Sequence, residues 1–577
     1  MKLVEALDIL KRPVPEGAPS QRVFLACGFS PLHFQTFLVA HLRMLSPQRQ
    51  VEVTAGLFAD LAGNVERLDG SRYDAVVAII EWQDLDERLG IRRLGGWREG
   101  DLADIVNSVE SATVRLKAAL WRVSDRVPIC VCTPTLPLPP LFTPPTPQAS
   151  PHELQLRQLV ASLAASVAEK PSARILNMQR LDEMSPPHTR FDANAELMVG
   201  FPYKLPHASS LAELLAALIH NPGPKKGLIS DLDDTLWAGI LGEVGANGLS
   251  WDLSCHSQGH GLFQQFLASL SSIGVLIAAA SKNDRALVEL AFQRKDLIIP
   301  KESVYPIEAH WGNKSESVRR ILNQWNIGPE SVVFIDDSPM ELAEVKAAFP
   351  EMECMLFPKH DSQAILDLLK HLRHLFGKST LFYEDAIRLQ SIREAPLHEL
   401  SDATGSSLDD FLRKSNATIR FALGKYVGDR RAFELVNKTN QFNLNGIRLS
   451  ESDWQAYLDE PETFLLSVSY EDRYGPLGEI AVLLGTVKDE KLFIDIWVMS
   501  CRAFSRRIEY RCLQYLFEKF GADEITFDYH ATERNGPLRD FFEKLLHGAI
   551  TSDLRVTRKL FFESRPVLFH QVKEGSA

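Results

Sequence analysis

The sequence predicts an α/β protein of three domains, and three observations carry that reading. The chain has 577 residues, more than one hydrophobic core usually serves at roughly 150 residues per domain. Short apolar runs rich in Val, Ile and Ala alternate with stretches of helical periodicity, the pattern of strands joined by crossover helices. A breaker cluster, Asn221-Pro222-Gly223-Pro224, separates two such regions. The expected boundaries are 1–220, 221–360, a helical linker over 361–400, and 401–577.

In the first region, residues 22–27 (RVFLAC), 74–80 (DAVVAII) and 127–132 (VPICVC) read as strands of a parallel sheet. Eight prolines between 133 and 151 forbid regular helix and predict a long surface loop. A helix is expected at 152–169, and strand-like RILNM at 174–178 follows it.

In the second region the runs are GLIS (227–230), GVLIAAA (274–280) and SVVFI (331–335). Each ends at polar residues, as in a doubly wound sheet whose chemistry sits at the carboxyl ends of its strands. GLIS leads into Asp231-Leu232-Asp233-Asp234-Thr235, and the second run into Ser281-Lys282-Asn283-Asp284. Lys314 opens a helix in Gly312-Asn313-Lys314-Ser315. The third run ends in Asp336-Asp337-Ser338-Pro339, with Glu341 close behind. Carboxylate pairs just past buried strands repel unless a cation compensates them, and Mg²⁺ prefers such oxygen ligands. A hydroxyl, a lysine and two carboxylate pairs are the parts of phosphoryl transfer, where catalysis is mainly positioning and charge neutralisation. The insert after Thr235, WAGILGEVGANGLSW, is too short for a large cap and suits a small hairpin flap.

The third region holds FLLSVSY, AVLLGTV, LFIDIWVM and EITFDYH, with helices expected at 430–437 and 505–520, a mixed α/β domain. Cys501 follows LFIDIWVM at the expected start of a helix. The helix N-terminus and Arg502, Arg506 and Arg507 would make it a better thiolate nucleophile. His530, after EITFDY, would serve as its base if the two strands are neighbours. The stretch 437–443, with Asn437, Asn440 and Asn443, is dense in side-chain donors and acceptors, or is a turn-rich loop.

The rest of the composition sets limits. Apolar residues make up 45% and charged residues 24%, which excludes wholesale disorder and fibrous rods. Against 63 Lys and Arg stand 75 Asp and Glu, a net charge of −12. That balance argues against a nucleic-acid partner. Seven cysteines at 27, 130, 132, 255, 354, 501 and 512 read as reduced thiols of a cytoplasmic protein. The N-terminal stretch lacks a signal-peptide pattern, and no apolar run reaches the length of a membrane span.

The four central motifs resemble those of the haloacid dehalogenase superfamily of phosphotransferases. The resemblance implies Asp231 as nucleophile and Asp233 as general acid and base. It implies Thr235, Ser281, Lys282, Asn283 and Lys314 around the phosphate. It gives Mg²⁺ to Asp231, Asp233 (through its carbonyl), Asp336 and Asp337. With LWAGILGEVGANGL, Asn437-Lys438-Thr439-Asn440-Gln441-Phe442-Asn443 and Trp497-Val498-Met499-Ser500-Cys501-Arg502, the chain resembles the FkbH-like glyceryl transferase/phosphatases of polyketide biosynthesis. That resemblance implies 1,3-bisphosphoglycerate as substrate and an acyl carrier protein as partner. The glyceryl group would pass through Cys501 to the carrier's phosphopantetheine arm, with Asn440, Asn443 and Arg502 as binding residues. A stand-alone phosphatase with recruiting flanking domains is the alternative. The C-terminal region resembles the Gcn5-related N-acetyltransferase (GNAT) fold, with Ser505 and Arg507 where that family has glycines. Tyr529, Thr532 and Asn535 fall in a stretch similar to a later motif of the glyceryl-transferase family and are possible site lining. The N-terminal region faintly resembles the SGNH-hydrolase fold, with Ser30 at the place of its serine. It has Phe29 where that family has Asp and no Asp-x-x-His, so the domain is expected to be non-hydrolytic.

Overall fold

The computed structural model describes the chain except residues 16, 95–97, 141–143, 222, 379–380, 382–384, 386–407, 426–428, 440, 474, 489–490, 501–502, 505, 533–534, 551–552 and 576–577. The chain is mixed α/β. It forms two compact units, Met1–Pro222 with Leu449–Tyr457, and Gly223–Arg448 with Leu458–Ala577.

The first unit is built on five parallel strands: β1 (Ser20–Cys27), β2 (Gln50–Ala55), β3 (Ala75–Ile79), β4 (Ile129–Cys132) and β5 (Ala173–Ile175). Their order is β2-β1-β3-β4-β5. Strand alternation sends Val23 and Leu25 into one core layer and Phe24 and Ala26 into the other, so both faces of the sheet are covered. The sequence signal missed β2. It is an edge strand whose QVEVTA pattern buries one residue fully, so it lacks a continuous apolar run. Helix Pro151–Ala168 matches expectation, while Met178 begins a helix rather than ending a strand. Asn177 caps that helix through Arg180 N–H.

The second unit starts with another parallel sheet: β6 (Gly227–Ser230), β7 (Leu276–Ser281), β8 (Val304–Ala309), β9 (Val332–Asp336) and β10 (Glu353–Leu356). Its order is β10-β9-β6-β7-β8. The three runs found in sequence are the fully buried central strands. The two missed strands are the edges, β8 and β10, which are only partly buried. The expected hairpin flap is instead a short helix, Leu241–Gly248, broken at Gly245 and closed off by an antiparallel bridge between Ala238 and Ser250. The boundary at 360 is also corrected. Helix Ser362–Phe376 buries Ile365, Leu372 and Phe376 in the same core as Leu228, Phe263 and Ile277, so this part of the expected 361–400 linker belongs to the domain, while most of 379–400 lies outside the described residues. Beside it, Lys225 N–H donates to Leu375 O at 2.9 Å.

The rest of the second unit is a mixed sheet: β11 (Thr418–Leu423), β12 (Phe442–Asn443), β13 (Thr463–Asp472), β14 (Gly475–Lys488), β15 (Lys491–Met499), β16 (Glu524–Phe527), β17 (Leu554–Thr557) and β18 (Gln571–Gly575). The order is β17-β16-β15-β14-β13-β11-β18, with β12 paired to β15. Helices Arg430–Lys438 and Ile508–Phe520 lie close to their expected places. β15 and β16 run parallel, paired over Leu492–Ile494 and Ile525–Phe527. Beyond that pairing β12 sits against β15 at Val498 and Met499. Among the described residues, no helix is long and apolar enough to cross a membrane.

Candidate active site

The order in which strands are added to the central parallel sheet reverses between β6 and β9, and the crevice outside that switch point is where open α/β sheets bind ligands. Asp231 follows β6 directly, and its N–H donates to Ile335 O at 2.9 Å. Asp336 closes β9 one strand away. Lys314, at the start of helix Lys314–Trp325, reaches between them: Nζ lies 2.8 Å from Asp231 Oδ1 and 2.5 Å from Asp336 Oδ2. All three side chains are buried. Burial pushes the Asp231 carboxyl up to about 7, against the pull of Lys314 and with a further push from Asp336. Burial raises Asp336 too, again opposed by Lys314. Burial alone would lower Lys314, but the two carboxylates outweigh it and hold the ammonium above its usual range.

One ligand oxygen each from Asp231, Asp336 and Asp337 lie within 4.8 Å of one another. Counting Asp234, four carboxylates face two ammonium groups, Lys314 and Lys359, so the largely buried site keeps net negative charge, and its hard oxygens fit a Mg²⁺-sized ion. Asp233 lies outside that group of ligand atoms. Its Oδ1 accepts Trp237 Nε1–H at 3.0 Å and its Oδ2 accepts Asn283 Nδ2–H at 3.0 Å. The same amide donates to Ser281 Oγ at 3.1 Å, which ties the ends of β6 and β7 together. Thr235 is fully buried; its carbonyl meets His260 Nδ1 at 2.9 Å, while its hydroxyl lacks a hydrogen-bond partner.

Lys282, expected near phosphate, pairs instead with Glu341 Oε1 at 2.7 Å and is committed to the helix that begins at Pro339. Sequence reasoning missed Lys359. It follows β10, and its Nζ bridges Asp234 Oδ2 at 2.7 Å and Asp337 Oδ2 at 2.9 Å. Asp234 is in the left-handed region (φ 51°), which turns its carboxylate onto Gly239 N–H as well. Lys359 lies after a weak edge strand, so no strand-end motif marks it. Trp237 was missed because a buried tryptophan reads as core.

In the C-terminal domain, Cys501, Arg502, Ser505 and Asn440 lie outside the described residues. The condition set for His530, that its strand and the one before Cys501 be neighbours, is met by β15 and β16, but beyond their paired residues another segment intervenes. Leu444 N–H donates to Trp497 O at 3.0 Å and Leu444 O accepts His530 N–H at 3.2 Å, so this segment stands between β15 and His530. His530 is exposed, with Nδ1 3.6 Å from Asp528 Oδ1. Asn437 lies in a helix and donates to Phe433 O. Asn443 is buried; it donates to Thr439 O and accepts from Asn445 and Gly446 N–H, so its side chain builds the turn. Arg507 pairs with Asp409 at 2.6 Å, and the Arg506 guanidinium lies 5.5 Å from the Tyr470 ring centre. Asn535 holds the same corner, donating to His530 O and Asn443 O, and Thr532 Oγ1 accepts the Asn535 N–H. Tyr529 is buried beside them.

In the N-terminal unit, Ser30 N–H donates to Gly200 O at 2.8 Å. The carboxylate nearby belongs to Glu81, fully buried after β3. It accepts Thr135 N–H, Thr135 Oγ1–H, Leu136 N–H and Tyr203 O–H. Burial raises its pKa and these four donors oppose the shift. His207 lies between Thr135 and Ser185, and burial lowers it to about 3. Asp84 packs against Gly28, where a Cβ would meet its Oδ1 at 1.7 Å, so only glycine fits there.

No protein-family model matches the chain, and no curated protein does. Solved structures do. The N-terminal part of the protein BF1531 from Bacteroides fragilis, containing a phosphatase domain and complexed with Mg, is 18% identical with a TM-score of 0.53. That match covers 66% of this chain and all of that one (100%). An uncharacterized protein from Corynebacterium glutamicum is 14% identical over 27% of this chain and 98% of its own, with a TM-score of 0.19. A GCN5-related glucosamine N-acetyltransferase region of a fungal multi-domain enzyme is 9% identical over 92% of this chain and 63% of its own, with a TM-score of 0.15. The first likeness shows a shared fold; the other two scores are too low to carry an argument.

Proposed function

We propose that the chain is a Mg²⁺-dependent phosphatase whose central domain works by a covalent aspartate. The observation that carries this reading is Lys314 set between Asp231 and Asp336, with Asp337 completing a trio of metal-ligand oxygens at one switch point. Asp231, Asp336, Asp337 and the Asp233 carbonyl would hold the ion, which when bound neutralises charge on the phosphoryl group. Asp231 attacks phosphorus, Lys314 and Ser281 hold the phosphate oxygens, and Asp233 handles the proton. The Bacteroides chain of similar fold, complexed with Mg, supports the choice of ion.

The finer reading is a bifunctional glyceryl transferase/phosphatase. It takes 1,3-bisphosphoglycerate, removes phosphate, and loads the glyceryl group through a Cys501 thioester onto an acyl carrier protein for polyketide biosynthesis. The resemblance of 437–443 and 497–502 supports it, with a GNAT-like C-terminal domain. Hydrolysis of the acyl phosphate at phosphorus would waste the energy that a thioester needs. In this scheme Cys501 therefore attacks the carbonyl carbon and Asp231 removes the other phosphate, a monoester. A cytoplasmic setting agrees with six described cysteines that are all free. The stand-alone phosphatase stays as a second reading because the Leu444 segment separates β15 from His530 and Asn443 is consumed by its own turn.

Intact-protein mass after exposure to 1,3-bisphosphoglycerate and Mg²⁺ decides between them. A glyceryl adduct lost in Cys501→Ala and passed to a holo carrier protein is the transferase outcome. Phosphate release with no adduct leaves the stand-alone phosphatase. No Mg²⁺-dependent phosphate release, with or without Cys501, ends both readings.

A further inference from the structure

At the carboxyl ends of β1 and β2, which lie side by side, the N-terminal unit carries an apolar surface. Leu32 follows β1, Leu57 and Phe58 follow β2, and all three are exposed. Val199 and Met198, the latter 82% exposed, close helix Ala193–Val199. Short contacts join these three segments. A Cβ on Gly200 would meet Phe58 Cε2 at 2.7 Å, so the phenyl ring lies against the end of that helix. Ser30 N–H donates to Gly200 O at 2.8 Å, and Ala59 N–H donates to Gly28 O at 2.8 Å. Single apolar side chains in water are ordinary. A group of five on adjoining segments, on the order of several hundred Å², is the size that marks an interaction surface.

The local backbone is built to present this surface. Asn64 is buried; it accepts Leu57 N–H at 2.8 Å and donates to Leu57 O at 2.7 Å, which clamps the peptide groups on both sides of Leu57. Ala59 and Leu32 are held at positive φ (53° and 24°), a conformation that residues with a side chain keep only where the surrounding structure imposes it. Hydrogen bonds and strained backbone together hold Leu57 and Phe58 out in water.

The charges at the rim select the occupant. The Arg92 guanidinium lies 5.5 Å from the Phe58 ring centre. It is 40% exposed, while its carboxylate partner Glu196 is 2% exposed, so this pair shows positive charge to solvent. Asp60, two residues past Phe58, is 39% exposed and paired with Arg67 at 2.5 Å. The rim therefore carries both signs. An anionic bilayer or an acidic protein would gain at Arg92 and lose at Asp60. A second copy related by a two-fold axis can set each Arg92 against the other's Asp60, gaining twice, because such an interface pairs every contact with its mirror role.

We propose that two copies of this chain pair through this patch about a two-fold axis, with Leu57, Phe58 and Met198 in the apolar centre and Arg92 and Asp60 at the rim. An apolar centre inside a charged rim is the anatomy of a homodimer interface. Sedimentation velocity of the full chain over a range of concentrations tests it. Wild type is expected at twice the chain mass. Met198→Asp sets an unpaired carboxylate in the centre and should weaken the dimer by about a hundredfold or more. Leu154→Asp, at an exposed position on helix Pro151–Ala168, should leave the dimer intact. Circular dichroism establishes that each variant is folded; if Met198→Asp is not, Leu57→Asp takes its place. A wild-type chain that stays monomeric at every concentration overturns the proposal. If that monomer also co-sediments with phosphatidylcholine vesicles containing phosphatidylserine, the patch is a membrane surface instead. A dimer that survives both Met198→Asp and Leu57→Asp, or one that Leu154→Asp dissolves equally, overturns it too.

Discussion

Two parallel five-stranded sheets in this molecule each carry acidic residues at the carboxyl ends of their strands, and they use them oppositely. In the central domain Asp231, Asp336, Asp234 and Asp337 face lysines, at 2.5 to 2.9 Å. In the N-terminal unit Glu81 faces two hydroxyls and two backbone N–H groups. The first arrangement keeps charge available and leaves oxygens close enough to share an ion. The second spends every lone pair on joining β3, the loop after β4 and Tyr203. The partner of a carboxylate, more than its address in the fold, decides whether it does chemistry or holds the structure.

Asp231→Asn should break the central half of this contrast outright. Phosphate release is expected to fall by about three orders of magnitude or more, since the attacking oxygen is lost. A discontinuous phosphate assay with Mg²⁺ reads it. Glu81→Gln tests the other half. Turning an acceptor-only group into an amide puts N–H against donors, and stability should drop by about 3 kcal/mol. Urea unfolding followed by tryptophan fluorescence measures this, and turnover per folded molecule should stay within about twofold. Lys359→Met sharpens the comparison within the central site. With Asp234 and Asp337 released, turnover should fall about tenfold, while Lys359→Arg keeps most of it because a guanidinium can bridge the same two carboxylates.

The smallest expected effect is a pH dependence. Burial pushes Asp84 from its ordinary 3.8 up to about 8, helped by Glu81 and Glu196. The folded chain therefore holds a proton that the unfolded chain has released. This stabilisation is complete below about pH 4 and lost as pH rises through about 8. The melting midpoint of the N-terminal unit should fall by a few degrees across that window. Asp84→Asn should flatten the slope, which scanning calorimetry at several pH values would show.

Much of this was legible in sequence because buried strands advertise themselves. GLIS, GVLIAAA and SVVFI are continuous apolar runs, and the residues just past them were placed correctly at the switch point. What lay hidden followed edges and partners. β2, β8 and β10 are edge strands with half-exposed patterns, and Lys359 inherits the obscurity of β10. Lys282 carried the right charge in the right motif, yet Glu341 claims it, and a pair 59 residues apart leaves no local signature. The helix after 360 reads as amphipathic whether it links domains or completes a core; only Ile365 and Phe376 in contact with the central layer decide it. Asn443 falls on the other alternative for its stretch: its side-chain hydrogen bonds to Thr439, Asn445 and Gly446 build a turn.

The hydrogen bond from Lys225 to Leu375 has a wider meaning. It places the entrance and exit of the central parallel-sheet domain side by side, so the domain occupies its neighbours' chain like a bead threaded through one hole. A gene segment with that property can move between hosts without stretching either flank, and its ends can be joined to open it elsewhere. The same closeness bears on where excision is made: a cut at 360 would take away Leu375, and a cut directly after Phe376 would take away Lys378, whose Nζ donates to Ile273 O at 2.8 Å.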